Sequence, residues 1–142
     1  MATTELKLDA LRILLVEDSV DAMNLIRSML ADFGITQIFT ARDGRAALDF
    51  LGAVDDDDLL DVVLCDWNMP RMSGIELLRQ IRTVDPATPF LMITGAADGD
   101  SVAKAKSAGV TGYIRKPFSA EELQKKLRVI ARIVAHRRSA AA

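Results

Sequence analysis

The chain has 142 residues, half of them hydrophobic, a formal net charge of −2, and a single cysteine and a single histidine. That length supports one well-formed core and is too short for two ordinary domains. A charge this near neutral argues against a dedicated nucleic-acid binder, and one cysteine allows neither an internal disulfide nor a cysteine and histidine zinc cluster.

The near-neutral sum hides a gradient. Up to Asp66 there are 14 acidic and 5 basic side chains, and beyond it 6 acidic and 13 basic, so the two halves attract each other in a compact fold. The opening "MATTELKLDALR" is charged where a secretory signal would be apolar. No apolar run approaches the roughly 20 residues of a membrane-spanning helix. A reducing, cytoplasmic setting without membrane insertion is expected.

After an extension over residues 1–11, a first strand is expected at Ile13 to Val16. "SVDAMNLIRSMLADFG" then places Met23, Ile26, Met29, Leu30 and Phe33 at helical spacing, with Gly34 as the stop. A second strand at Gln37 to Thr40 is followed by the helix "GRAALDFLGAV". The acidic run Asp55 to Asp58 lacks the glycine and spaced oxygen donors of a calcium loop and reads as a solvated connection. The third strand, Val62 to Cys65, leads to the helix "GIELLRQIRTV", closed by Asp85 and Pro86. Phe90 to Ile93 is the fourth strand, "GDSVAKAKSAG" a polar helix, and Gly112 to Ile114 the fifth strand. "SAEELQKKLRVIARIVAHRR" is the last helix, with Ser119 and Glu122 as a capping box, and residues 135–142 are set apart as a basic, alanine-rich tail.

Strands alternating with helices imply an α/β fold, a parallel sheet wound on both faces, and the nearly continuous apolar character of the strands suits burial on both sides. Ligands of such sheets bind beyond the carboxyl ends of the strands. The residues there are Glu17 and Asp18 after the first strand, Asp66 after the third, Thr94 after the fourth and Lys116 after the fifth. Three carboxylates in one cleft repel each other unless a cation lies between them, and hard oxygen donors suit Mg2+. Lys116 and Thr94 add an ammonium and a hydroxyl fit to hold phosphoryl oxygens.

The segments "ILLVEDS", "CDWNMPRMSGIELLRQIR", "MITGAA" and "AGVTGYIRKPF", in this order over about residues 12–134, resemble the receiver domain of two-component response regulators, the CheY-like family, and most of all its chemotaxis branch. The resemblance implies a three-layer (βα)5 flavodoxin-like fold with five parallel strands in the order 2-1-3-4-5. It implies that Asp66 accepts a phosphoryl group from a histidine kinase or histidine phosphotransfer protein, and that Glu17, Asp18, Asp66 and the backbone carbonyl of Asn68 hold Mg2+. Thr94 and Lys116 would bind the transferred group, Tyr113 would turn inward as the threonine moves, and the Lys116–Pro117 peptide bond would be cis.

Cys65 reads as a small buried hydrophobe, and His136, beside Arg137 and Arg138, as a cation near a helix end and not as a phosphorylated histidine. Gly95 and Ala96 are small and leave room for water, which implies a limited acyl-phosphate lifetime. With no DNA-binding or catalytic domain after Arg138, output is expected by contact, as a monomer or weak dimer that is no enzyme beyond its own phosphoryl chemistry. The surface of helix 4, strand 5 and helix 5, with Lys104, Lys106, Lys125, Lys126, Arg128 and Arg132 assigned to it, would meet an acidic target, the flagellar motor switch being a candidate; the arginines near the C-terminus could grip a phosphate-bearing ligand. A phosphorelay intermediate and a regulator of the kinase are alternatives. So are an aspartyl-phosphate phosphohydrolase, which wants an acid where Asn68 stands, and an interaction module that never carries phosphate.

Overall fold

The computed structural model describes residues 7–53, 60–95 and 99–141. The acidic run Asp55 to Asp58, Ala96 and the first six residues of the extension lie outside the described residues. A 3-10 turn at Leu8–Ala10 leads into β1 (Arg12–Val16), α1 (Val20–Asp32), β2 (Gln37–Ala41), α2 (Gly44–Ala53), β3 (Val62–Asp66), α3 (Gly74–Val84), β4 (Phe90–Thr94), α4 (Gly99–Ser107), β5 (Gly112–Arg115) and α5 (Ala120–Ala141). The strands form one parallel sheet in the order β2-β1-β3-β4-β5. This is the doubly wound order expected from the resemblance, with strand order reversing between β1 and β3.

Side chains alternate across each strand, so consecutive apolar residues feed opposite layers. Ile13, Leu15, Val62 and Leu64 pack with Ile26 and Leu30 of α1 and Leu123, Leu127 and Ile130 of α5. Leu14, Val16, Val63 and Cys65 pack with Ala47 of α2 and Leu77, Leu78 and Ile81 of α3. All five residues of β3 and of β4 are buried, which is why those runs show no polar alternation. The strands run one residue further than their apolar stretches, and Asp66 and Thr94 are themselves the last residues of β3 and β4.

Local chemistry sets the ends. Ser19 and Ser73 cap α1 and α3 by accepting the Ala22 and Glu76 amides at 3.3 Å each, and Ser119 accepts that of Glu122 at 3.1 Å. Gly34, at φ +87, lets Ile35 return its amide to the Leu30 carbonyl and closes α1. Before β4, Asp85 accepts the amides of Ala87 and Thr88 at 2.9 and 3.0 Å and the Thr88 hydroxyl. Burial alone would raise the Asp85 pKa, but these bonds and the charge of Arg137 outweigh it and hold the carboxyl below its usual range. A lowered acid pKa stabilises the fold above the unfolded-state value and loses that contribution as pH falls through the folded value. Asp85→Asn is therefore expected to cost about 1 kcal/mol at neutral pH. In urea titrations against pH, the gap to the wild type should close below the ordinary aspartate pKa of 3.8.

The stretch from residue 135 continues α5 without a break to Ala141, and Ala135 is buried. Arg137 donates to the Ala87 carbonyl at 3.3 Å, and Arg138 Nη2 lies 2.6 Å from Asp61 Oδ2. Asp61, just before β3, also accepts the Arg12 amide at 2.8 Å and faces Arg12 Nε at 3.4 Å. The residues set apart in sequence as a tail thus tie the last helix to the opening of the central strand.

Candidate functional site

The carboxyl edge of the sheet gathers the predicted residues. Glu17 directly follows β1; its amide donates to the Ala41 carbonyl at 3.0 Å, and its side chain accepts the Ser19 amide at 3.2 Å. At the end of β3 stands Asp66, buried like Glu17 and Thr94, while Asp18 is half-buried. Ligand oxygens of Glu17, Asp18 and Asp66 lie within 4.8 Å of one another. The Lys116 amide donates to the Thr94 carbonyl at 2.7 Å, extending the β4 to β5 ladder, and its ammonium lies 3.3 Å from both Glu17 Oε1 and Asp66 Oδ1. The Lys116–Pro117 bond is cis, as the resemblance implied.

The charges strain against each other. Burial pushes the Glu17 carboxyl above its ordinary value and the Asp66 charge adds to this, while the Ser19 amide and Lys116 pull the other way. For Lys116, burial works toward a lower value, yet Asp66 and Glu17 outweigh it and keep the ammonium charged. Three carboxylates against one ammonium leave an excess negative charge in a partly buried cleft, and all the donors are hard oxygens. The residues present fit a divalent cation of the Mg2+ type.

Burial pushes the Cys65 thiol well up, helped by Asp66 and Glu17. The thiol donates to the Asp66 carbonyl at 3.2 Å, so Cys65 is the small buried hydrophobe its sequence context suggested and no rival nucleophile. Asn68 lies two residues beyond Asp66 in the exposed start of the loop to α3. Gly74 opens α3 at a point of close approach. Its φ is not positive, but a Cβ there would overlap the Asp66 carbonyl and press on the Trp67 Cα and Met92 Sδ. A position that needs close approach requires glycine as surely as one that needs a special φ.

Tyr113 is half-buried on β5, in register with Met92. A gap of only about 10 Å³ lies among Thr94, Ala105 and Tyr113, so the ring has little room beside the threonine. Lys126 stands over the ring at 5.8 Å from its centroid. Gly95 is exposed, with open space where a Cβ would be.

The basic residues of α5 divide. Lys125 and Lys126 are exposed, and Lys126 faces the Tyr113 side. Arg128 and Arg132 instead line a hollow on the α1 side with Lys7, Asp9 and Phe33, so they do not belong to the α4, β5 and α5 face assigned to them. The helical repeat separates Lys126 from the arginines, since Arg128 follows it by about half a turn, whereas Lys125, three and seven residues before Arg128 and Arg132, shares their side. Ser73, given no role in sequence, is the α3 cap; only its place three residues before Glu76 could have signalled this. Asp61 carried no local signal, because its arginine partners are distant along the chain.

Comparison with known proteins agrees with this geometry. Residues 13–128 match the family model described as the response regulator receiver domain. The chain is 38% identical over 122 residues to the chemotaxis protein CheY of Pseudomonas aeruginosa, covering 84% of this chain and 95% of that protein. Identity to CheY-3 of Vibrio cholerae is 40% over 119 residues, covering 82% and 88% respectively. Among solved structures, V. cholerae chemotaxis protein CheY4 superposes with a TM-score of 0.76 at 33% identity, covering 84% of this chain and 98% of the other. A response regulator receiver domain protein from Clostridium thermocellum gives 0.77 at 26% identity, covering 93% and 99%.

Proposed function

The chain belongs to the response regulator receiver domain family and is CheY-like, and from that premise we propose that it is a phosphorylation-controlled switch that takes a phosphoryl group on Asp66 and signals by contact. The observation that carries this is the Lys116 ammonium at 3.3 Å from both Glu17 and Asp66, inside a cluster whose carboxylate oxygens lie within 4.8 Å. A carboxylate oxygen of Asp66 attacks phosphorus, the bond from phosphorus to the donor imidazole nitrogen breaks, and the electron pair leaves with the imidazole. Catalysis of such transfers is mostly positioning and charge neutralisation. Lys116 lies 3.3 Å from the proposed acceptor, and Thr94, the last residue of the neighbouring strand, would supply a hydroxyl to bond a phosphoryl oxygen. Mg2+ held by Glu17, Asp18, Asp66 and the Asn68 carbonyl would neutralise the charge that builds on the transferred group.

Phosphorylation then biases an equilibrium between two surfaces, and a partner binds one of them better. Thr94 and Tyr113 flank the gap beside α4, and α4, β5 and α5 present Lys104, Lys106 and Lys126 to solvent. This basic face suits an acidic target. The relatives named chemotaxis proteins favour a motility output such as the flagellar switch over the relay alternatives. Among the described residues no helix is long and apolar enough to cross a membrane, and we place the exchange with the kinase in the cytoplasm. The phosphohydrolase reading is disfavoured by Asn68, whose amide cannot serve as the acid such chemistry wants. The test adds Mg2+ and acetyl phosphate to the purified protein and follows intact mass and the fluorescence of Trp67, the only tryptophan. A phosphoryl mass gain with a fluorescence change is expected; absence of both overturns the switch.

An apolar groove of about 440 Å³ opens beside Lys116, lined by Ala22, Leu25, Ile26, Met29, Pro117 and Phe118. It adjoins the acceptor site, and Leu25 is 59% exposed, so we assign the groove to the helix that presents the donor histidine. Leu25→Glu should leave the melting temperature unchanged and uptake from acetyl phosphate intact. Transfer from the phosphorylated kinase should slow about tenfold, the loss expected when one apolar anchor is replaced by a charge. Equal slowing with both donors would remove the groove from the docking surface.

A further inference from the structure

The loop from Trp67 to Ser73 carries the Asn68 carbonyl, and its shape is fixed at more points than its ends. At its base the Trp67 amide donates to the Ile93 carbonyl and the Gly74 amide to the Trp67 carbonyl, each at 2.8 Å. Near its far end Arg71 has φ +68, and the Met72 amide donates to the Pro70 carbonyl at 2.7 Å. That is a three-residue turn about a non-glycine residue in a sparsely populated region, a conformation that persists only when the surroundings hold it.

What holds it is visible on α2. Met72 is half-buried against Gly44, and a Cβ on Gly44 would lie 2.5 Å from Met72 Sδ, 2.9 Å from its Cγ and 3.0 Å from its Cβ. Because Met72 is crowded as far back as its own Cβ, turning the end of the side chain would not relieve the overlap, and the loop backbone would have to shift. The seat itself is firm. Asp43 caps α2 by accepting the Ala46 amide at 2.7 Å, and Gly44 is buried.

We propose that Gly44 and Met72 are positioning residues: the bare face of Gly44 seats Met72, the seated Met72 holds the strained turn at Arg71, and the turn sets where the Asn68 carbonyl meets the cation. The inference rests on the metal-binding reading above and deepens it. Neither residue touches the phosphoryl group or the cation. Their effect passes through the loop backbone, so it should show in cation affinity before it shows in stability.

The test is Mg2+ titration of the full chain followed by Trp67 fluorescence, with melting temperature as the second readout. Met72→Ala and Gly44→Ala should each weaken Mg2+ binding about tenfold, the factor matching release of a turn of this kind. The pair together should be no worse than Met72→Ala alone, because both act on one contact. Arg71→Gly, which lets the turn form without strain, should bind as the wild type does and should restore most of the affinity to Met72→Ala. A merely structural role for Met72 would not be rescued from Arg71. Wild-type affinity in both single variants, additive losses in the pair, or no rescue by Arg71→Gly each overturn the proposal. A wild-type chain that fails to bind Mg2+ instead overturns the reading of the site itself, before any variant is compared.

Discussion

Asp66→Asn will take up no phosphoryl group from acetyl phosphate in the presence of Mg2+, and it will melt no lower than the wild type. The first half follows from the chemistry, since the amide keeps the shape of the side chain and loses the nucleophilic oxygen. The second follows from the charges. Asp66 adds to the repulsion that lifts the Glu17 carboxyl, and removing one of the three negative charges relaxes it. The variant gives up the Asp66 side of the Lys116 pair, but Lys116 keeps Glu17 at 3.3 Å. Two opposed effects of the order of 1 kcal/mol leave the melting temperature level or slightly raised without metal. Intact mass and calorimetry on the same sample separate loss of the acceptor from loss of the fold. A mass gain that persists in the variant moves the acceptor to another residue, and a large drop in melting temperature shows Asp66 to be a structural carboxylate.

That the proposed acceptor stands out in the sequence has a physical cause. A parallel strand buried on both faces is an unbroken apolar run, so a polar residue at its end marks the sheet edge where ligands bind, and Glu17, Asp18, Asp66, Thr94 and Lys116 are all such residues. Periodicity similarly shows which side of a helix faces the sheet. It does not show which neighbouring element each exposed side meets, and so the sequence puts Arg128 and Arg132 on one surface with Lys126 although they line the hollow beside Phe33. Nor does a local pattern reveal partners far apart in the chain. Gly44 and Met72 make a close contact that neither segment announces, and Ser73 needed the start of α3 before its hydroxyl had a task. The clearest case is Asp61, which stands in the sequence three residues after the acidic run and is in the structure 4% exposed.

Asp61→Ala should cost about 3 kcal/mol, the range for removing one member of a buried charge cluster and leaving the others uncompensated. Its side chain accepts the Arg12 amide at 2.8 Å and faces the guanidinium of Arg12 at 3.4 Å and that of Arg138 at 2.6 Å. Alanine leaves that amide without this acceptor at the first residue of β1 and removes the carboxylate from beside two guanidinium groups. The side chains of Arg12 and Arg138 are 24% and 38% exposed and can turn to water, which keeps the cost toward the lower end of the range. Arg138→Ala, by contrast, leaves Asp61 paired with Arg12 and should cost about 1 kcal/mol. Urea unfolding measures both, and the single substitutions with the pair form a cycle in which Arg138→Ala adds little once Asp61 is gone. Asp61 precedes β3 and Asp66 ends it, about 16 Å apart at the rise of a strand, so Mg2+ affinity should survive in the folded fraction of every variant. A chain ended at Val134 should lose the Arg138 bond and the buried Ala135 together, and so be less stable than Arg138→Ala alone. Equal stability of the two would place the end of the folded unit at Val134 and leave the last turns of α5 as an appendage.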